Sequence, residues 1–135
     1  MTARLEHLED EDYGRLLVFR DGLRRFTHWS EHQAQGAGLT GAQHQLLLAI
    51  KGHGSPPSIG DVADHLLLRH HSVVELVDRA VRAGLVERVT DADDQRIVRL
   101  QLSRSAAAKL RSLSAAHIEE LSRLRRSFET LWRDL

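Results

Sequence analysis

Two long helical seams flank a short amphipathic centre in this chain. Toward the N-terminus, Leu5, Leu8, Asp12, Leu16, Phe19, Leu23, Phe26 and Ser30 follow alternating steps of three and four, which predicts one long helix with two polar interruptions in its seam. The run breaks at Gln35-Gly-Ala-Gly38, and Thr40 with Gln43 then resembles a capping box opening a helix through residues 45–50. Residues 52–57 read as a loop, because both prolines of the chain sit there. In the last third, Leu110, Leu113, His117, Leu121, Leu124, Phe128, Leu131 and Leu135 repeat the period of the first seam. That region is one helix, or two with a bend near residues 122–127.

The centre changes character. Ser58 is a candidate N-cap for a short helix carrying Ile59, Val62, Ala63 and Leu66 at helical spacing. A second helical pattern spans residues 67–84, with Val73, Leu76, Val77 and Ala80 forming one apolar stripe and His71, Glu75, Asp78, Arg79 and Arg82 on the other face. Gly84 follows the last periodic residue, where a left-handed cap is least costly for glycine. Residues 85–89 and 97–102 suit two antiparallel strands, joined by a polar tip over 90–96 that is too long for a two-residue turn. Two short helices followed by a projecting hairpin spell a winged helix-turn-helix, in a mainly α fold whose only β structure is the small hairpin wing. A helix enters the major groove only when a partner helix braces it across the backbone, leaving its N-terminal side chains free for base edges.

Composition narrows the function classes. A chain of 135 residues, 41% hydrophobic, reads as one domain over 1–135 with a reader at 40–103 and terminal helices at 1–35 and 104–135. No apolar run reaches bilayer length and the first residues lack the order of a secretory signal, so a cytoplasmic protein without membrane association is expected. The absence of cysteine removes disulfides, thiolate zinc sites and thiol redox sensing together. Net charge is zero, and residues 58–103 hold six arginines against eight carboxylates, so the reader lacks the usual basic footprint of a DNA binder. Pairing two readers on one duplex relieves this, because the second contact becomes intramolecular. The two seams are too long to be buried against a small reader alone, and a homodimer joined through the terminal helices is the expectation.

Several motifs together carry a family resemblance. Leu76-Val-Asp-Arg79 on the helix, Gly84-Leu-Val-Glu-Arg88 entering the wing, Asp91-x-x-Asp94-x-Arg96 at its tip and Leu102-Ser103 leading to the last helix resemble the MarR family of bacterial transcriptional regulators. The resemblance implies a dimer built from the terminal helices, with recognition helices in successive major grooves of a pseudo-palindromic double-stranded DNA operator. It further implies that Arg96 enters the minor groove while Asp94 and Asp91 fix the wing through charge-assisted hydrogen bonds. The chain departs from the family pattern at His70, Val74 and Glu75 on the reading helix and at Gln95 beside Arg96, so base preference does not carry over. The expected DNA-contacting set is Ser58, Arg69, His70, His71, Ser72, Val74, Glu75, Arg79, Arg88, Asp91, Asp94, Gln95 and Arg96.

Each candidate has a plainer alternative. His70 and His71 either donate to phosphate or guanine or pack against the turn, and Glu75 either accepts from cytosine or repels wrong sites. Arg79 either meets the DNA backbone or makes a structural salt bridge near Asp78. His28 and His32 have the i, i+4 spacing of a metal-binding pair, but without a third ligand a solvated helix face is the default. Phe26, Trp29 and His44 either line a pocket for a small aromatic effector or pack in the core. His117 reads as a satisfied core histidine, and the Gly52-x-Gly54 pair is weak evidence for a nucleotide site. No nucleophile, base and orienter set stands out, so neither an enzyme nor a cofactor is expected. The function that follows is a sequence-specific DNA-binding transcriptional regulator, a repressor released by a small effector. The alternatives are a metal-responsive regulator of the same fold, or a helical protein-interaction module that does not bind DNA.

Overall fold

A computed structural model describes residues 2–133; Leu135, the last position of the second seam, lies outside them. The N-terminal seam is not one helix. α1 (Thr2–Glu6) stops short and α2 (Asp10–Gly36) begins anew at Glu9, whose backbone is extended and whose N–H donates to Asp12 Oδ2 at 2.9 Å. Asp10, Glu11 and Asp12 place three carboxylates in the first turn, where the helix dipole favours negative charge. This local start signal overrides a hydrophobic period that runs through it without a break.

The middle helices start on side-chain caps. Thr40 Oγ1 accepts from Gln43 N–H and Gln43 Oε1 accepts from Thr40 N–H, each at 3.0 Å, and open α3 (Gly41–Gly52). Ser58 and Asp61 make the same reciprocal pair at the head of α4 (Ile59–Leu66). Beyond α4, Leu67 takes a left-handed conformation at φ 54° and Leu68 N–H returns to Ala63 O, which ends the helix. α5 (His70–Arg82) therefore starts three residues later than the pattern from Leu67 suggests. Residues 67–69 are the turn of the helix-turn-helix. Gly84 sits at φ +73°, as its place after the helix requires, and Leu85 N–H closes back on Ala80 O.

The hairpin pairs β1 (Val86–Thr90) with β2 (Val98–Leu102), antiparallel, with Arg88 opposite Leu100. Ser103 then caps α6 (Arg104–Glu129), a single helix that runs through residues 122–127 and ends in a 3-10 turn at Thr130–Trp132. The core gathers Leu46, Leu47 and Ile50 of α3, Val62 of α4, the α5 stripe, Val86 and Leu100 of the strands, and Leu110 and Leu113 of α6.

The two seams meet within one chain. Ser30 bonds His117 across α2 and α6, and the Phe19 ring meets Phe128 edge-on at 5.8 Å. A Cβ at Gly22 would stand 2.9 Å from the Phe128 ring, so glycine allows this approach. The seams cover each other only in part: Phe19 meets Phe128 and Ser30 meets His117, while Leu5, Leu8, Leu16, Leu23 and Leu121 stay exposed in the single chain. An uncovered stripe holds Tyr13, Leu16 and Leu17 on α2, at i, i+3 and i+4, with Ile118 and Leu121 on α6 and Trp132, and so includes the seam residues Leu16 and Leu121. Among the described residues no helix is long and apolar enough to cross a membrane.

Candidate nucleic-acid interface

α5 buries Val73, Leu76, Val77 and Ala80 and leaves its opposite flank in solvent. Its first turn presents Arg69, His70 and His71, all exposed, with Glu75 and Arg79 exposed farther along and Ser72 and Val74 half-buried beside them. Arg69 holds the N-cap position without a side-chain cap, so the first N–H groups of the helix have no capping side chain at the end that would approach phosphate. Ser58 is half-buried and its hydroxyl oxygen already accepts from Asp61 N–H, leaving only its hydroxyl proton for another partner.

Charges at the base of the wing are spoken for. Arg88 donates to Asp78 Oδ1, tying β1 to α5. The salt bridge expected of Arg79 is therefore made by Arg88, because Asp78 faces the strand and Arg79, one step around the helix, faces away.

The tip is built on two carboxylates. Asp91 Oδ2 accepts from the N–H groups of Asp93 and Asp94 at 3.1 and 2.9 Å, while its Oδ1 accepts from Arg99 Nε at 3.0 Å. Asp94 accepts from Arg96 three times, from N, Nε and Nη2 at 3.0, 3.1 and 3.0 Å. The Arg99 guanidinium, then the backbone donors, hold the Asp91 carboxyl below the ordinary aspartate range, and Arg96 does the same for Asp94. Both carboxylates therefore lose their charge at a lower pH than an ordinary aspartate does. Arg96 is aimed by Asp94 while its side chain remains 90% exposed, and Gln95 beside it is also exposed. A cation held in one direction by a carboxylate, with most of its surface in solvent, is suited to insertion in a narrow groove.

Two residues absent from the expected set hold this wing to the reader. Arg99 reaches Asp61 of α4 at 3.8 Å as well as Asp91, and Leu100 N–H donates to Pro57 O at 2.9 Å, so β2 docks along the segment preceding α4. Both links depend on register between distant segments.

Phe26, Trp29 and His44 are brought together, and His117 is their centre. Its ring lies 5.9 Å from Phe26, 4.7 Å from Trp29 and 4.8 Å from His44. His117 Nδ1 faces the Leu113 carbonyl at 2.7 Å and so donates, which in the neutral ring leaves Nε2 to accept from Ser30 Oγ. This is the satisfied core histidine that the sequence suggests. His44 differs: it is 3% exposed and its Nδ1 has no hydrogen-bond partner among the described residues. Burial, then the neighbouring His117, lowers its pKa. The unfolded chain, with His44 near 6.5, therefore binds more protons at that position than the folded chain does. This contribution to stability is full above about pH 6.5 and declines as pH falls below it. Urea denaturation at pH 7.5 and 5.5 should show a lower midpoint at pH 5.5, and His44→Phe should shrink that difference; an unchanged difference would refute the assignment.

His28 and His32 meet edge-on at 5.1 Å on α2, and among the described residues no group of three histidines or carboxylates converges on a metal position.

Comparison with known proteins points to a family. The sequence profile described as MarR family matches residues 37–97, which include the whole helix-turn-helix and the wing through Ile97. Over those residues the chain resembles the MarR family. Over 100% of its length it is 23% identical to the HTH-type transcriptional repressor YetL of Bacillus subtilis (strain 168), covering 83% of that protein. Among solved structures, a MarR family transcription regulator superposes with a TM-score of 0.77 at 21% identity, over 93% of this chain and 82% of that one. The MepR–DNA complex of S. aureus gives 0.69 at 19% identity, over 79% and 77% of the two chains. At such identities the shared feature is the fold, and the reader keeps its own residues at His70, Val74, Glu75 and Gln95.

Proposed function

We propose that this chain is a cytoplasmic, homodimeric transcriptional repressor of the MarR family that binds a pseudo-palindromic DNA operator and releases it when a small aromatic effector binds. One observation carries the DNA reading above the others: Asp94 accepts from the backbone N–H of Arg96 and from Nε and Nη2 of its guanidinium, fixing the direction of a side chain that stays 90% exposed at the tip of the wing. The repressor named YetL and the DNA-bound MepR structure support the same direction. Dimerisation is supported by the uncovered stripe on α2 and α6, and it answers the charge problem by placing two weakly basic readers on one duplex. The effector reading draws on the aromatic cluster around His117, which joins α3 of the reader to α2 and α6. A change there alters the distance between two heads that must match half-sites about one helical turn apart.

The test uses DNA fragments selected from the native genome and fluorescence anisotropy at rising salt. Affinity should fall steeply with salt, and Arg96→Ala should weaken binding by about fivefold or more, from the 1–3 kcal/mol that a good groove contact contributes. Salt-independent retention of the fragments, or full affinity in the variant, would favour a protein-interaction module instead. If a broad library of aromatic acids leaves operator affinity unaltered, effector control falls while DNA binding stands.

A further inference from the structure

His53 and His65 are twelve positions apart and belong to no motif in the sequence. The fold brings them together at two helix ends. His53 caps the C-terminus of α3, its N–H bonded to Ala49 O, and His65 lies in the last turn of α4. His53 Nδ1 and His65 Nε2 face each other at 3.0 Å, with the ring planes 79° apart. The far nitrogen of His53, Nε2, points at Asp61 Oδ2 at 3.6 Å. Asp61 is itself fixed, accepting from Ser58 N–H at 3.0 Å and lying 3.8 Å from Arg99.

We propose that His53 and His65 form a binding site for a borderline divalent metal ion such as Zn2+, Ni2+ or Cu2+. Two imidazole nitrogens on one tetrahedral ion, each about 2.05 Å from it, stand roughly 3.3 Å apart. The present separation needs to widen by only a few tenths of an ångström. A carboxylate on the far nitrogen is how metal-ligating imidazoles are commonly oriented, and Asp61 stands on that side of His53 at 3.6 Å, just beyond hydrogen-bond length. Imidazole pairs select this class of ion over Mg2+ or Ca2+. Both residues are accessible, so an ion can enter and water can complete its coordination. Among the described residues no third histidine or carboxylate converges there, so the protein supplies two ligands. The ion would clamp the α3–α4 loop to α4, and through Asp61 and Arg99 it would stiffen the docking of the wing.

The full-length protein, without DNA, is titrated with zinc chloride by calorimetry, with metal content measured after dialysis. One equivalent per chain is expected, with His53→Ala and His65→Ala each abolishing it and Asp61→Asn weakening it about 10- to 100-fold. His28→Ala with His32→Ala should leave uptake unchanged, and circular dichroism confirms that every variant is folded. Zinc uptake that persists in folded His53→Ala and His65→Ala proteins, or that disappears instead with His28 and His32, overturns the site, as does no uptake at millimolar zinc.

Discussion

Leu100→Ala is expected to lower the unfolding free energy by about 2–5 kcal/mol, the usual cost of emptying a filled leucine site in a core. Leu100 is fully buried on β2. Its N–H donates to Pro57 O, and its Cα pairs with Arg88, so the one residue fixes the wing, the segment before α4 and the core together. A domain of this size has only about 5–15 kcal/mol in hand, so the variant gives up a large share of its stability. Denaturant midpoints measure the loss. Gln101→Ala, one position along the same strand and exposed, should change stability by no more than about 0.5 kcal/mol. A loss below about 1 kcal/mol in Leu100→Ala would mean that the wing packs independently of the reader.

What the sequence revealed was what local chemistry determines. The start of α3 follows from Thr40 and Gln43 because both bonds of its capping box lie within four residues. The stripe Val73, Leu76, Val77 and Ala80 was legible for a similar reason, since one helix sets its period. The break before α2 was hidden because Leu5, Leu8 and Asp12 keep a helical step across the very residues where Glu9 turns extended. Leu67 gave no warning either, since a left-handed leucine is unfavourable by itself and is imposed by packing α5 across α4. At the site, the Asp91 and Asp94 anchors came through their motif, whereas the partners Arg99, Asp61 and Pro57 depend on strand register. Phe26, Trp29 and His44 could be named from sequence, but the role of His117 as the ring that joins them needed the α2–α6 crossing.

Replacing Leu16 and Leu17 by glutamate is expected to weaken operator binding by about 10²- to 10⁴-fold, the range by which linked sites exceed single ones. Both side chains are more than half exposed, at 62% and 59%, so the charges cost the isolated chain little. In a dimer built on this stripe the same charges would be buried opposite their own copies, where unpaired carboxylates are strongly disfavoured. A groove of about 360 Å3 beside them, lined by Leu8, Leu16, Phe19, Leu131 and Trp132 together with Arg4, Asp12 and Arg15, would receive side chains of the partner in such a dimer. Sedimentation should therefore show monomers, while circular dichroism and the urea midpoint at low concentration remain near those of the parent monomer. Because the interface of each reader is untouched, the remaining affinity should equal that of one head on a half-site, and should be the same on full and half operators. A variant that sediments as a dimer moves the contact surface elsewhere. One that is monomeric yet binds the full operator at parental strength would show that a single head suffices, and the near-neutral charge of the reader would then need an explanation other than pairing.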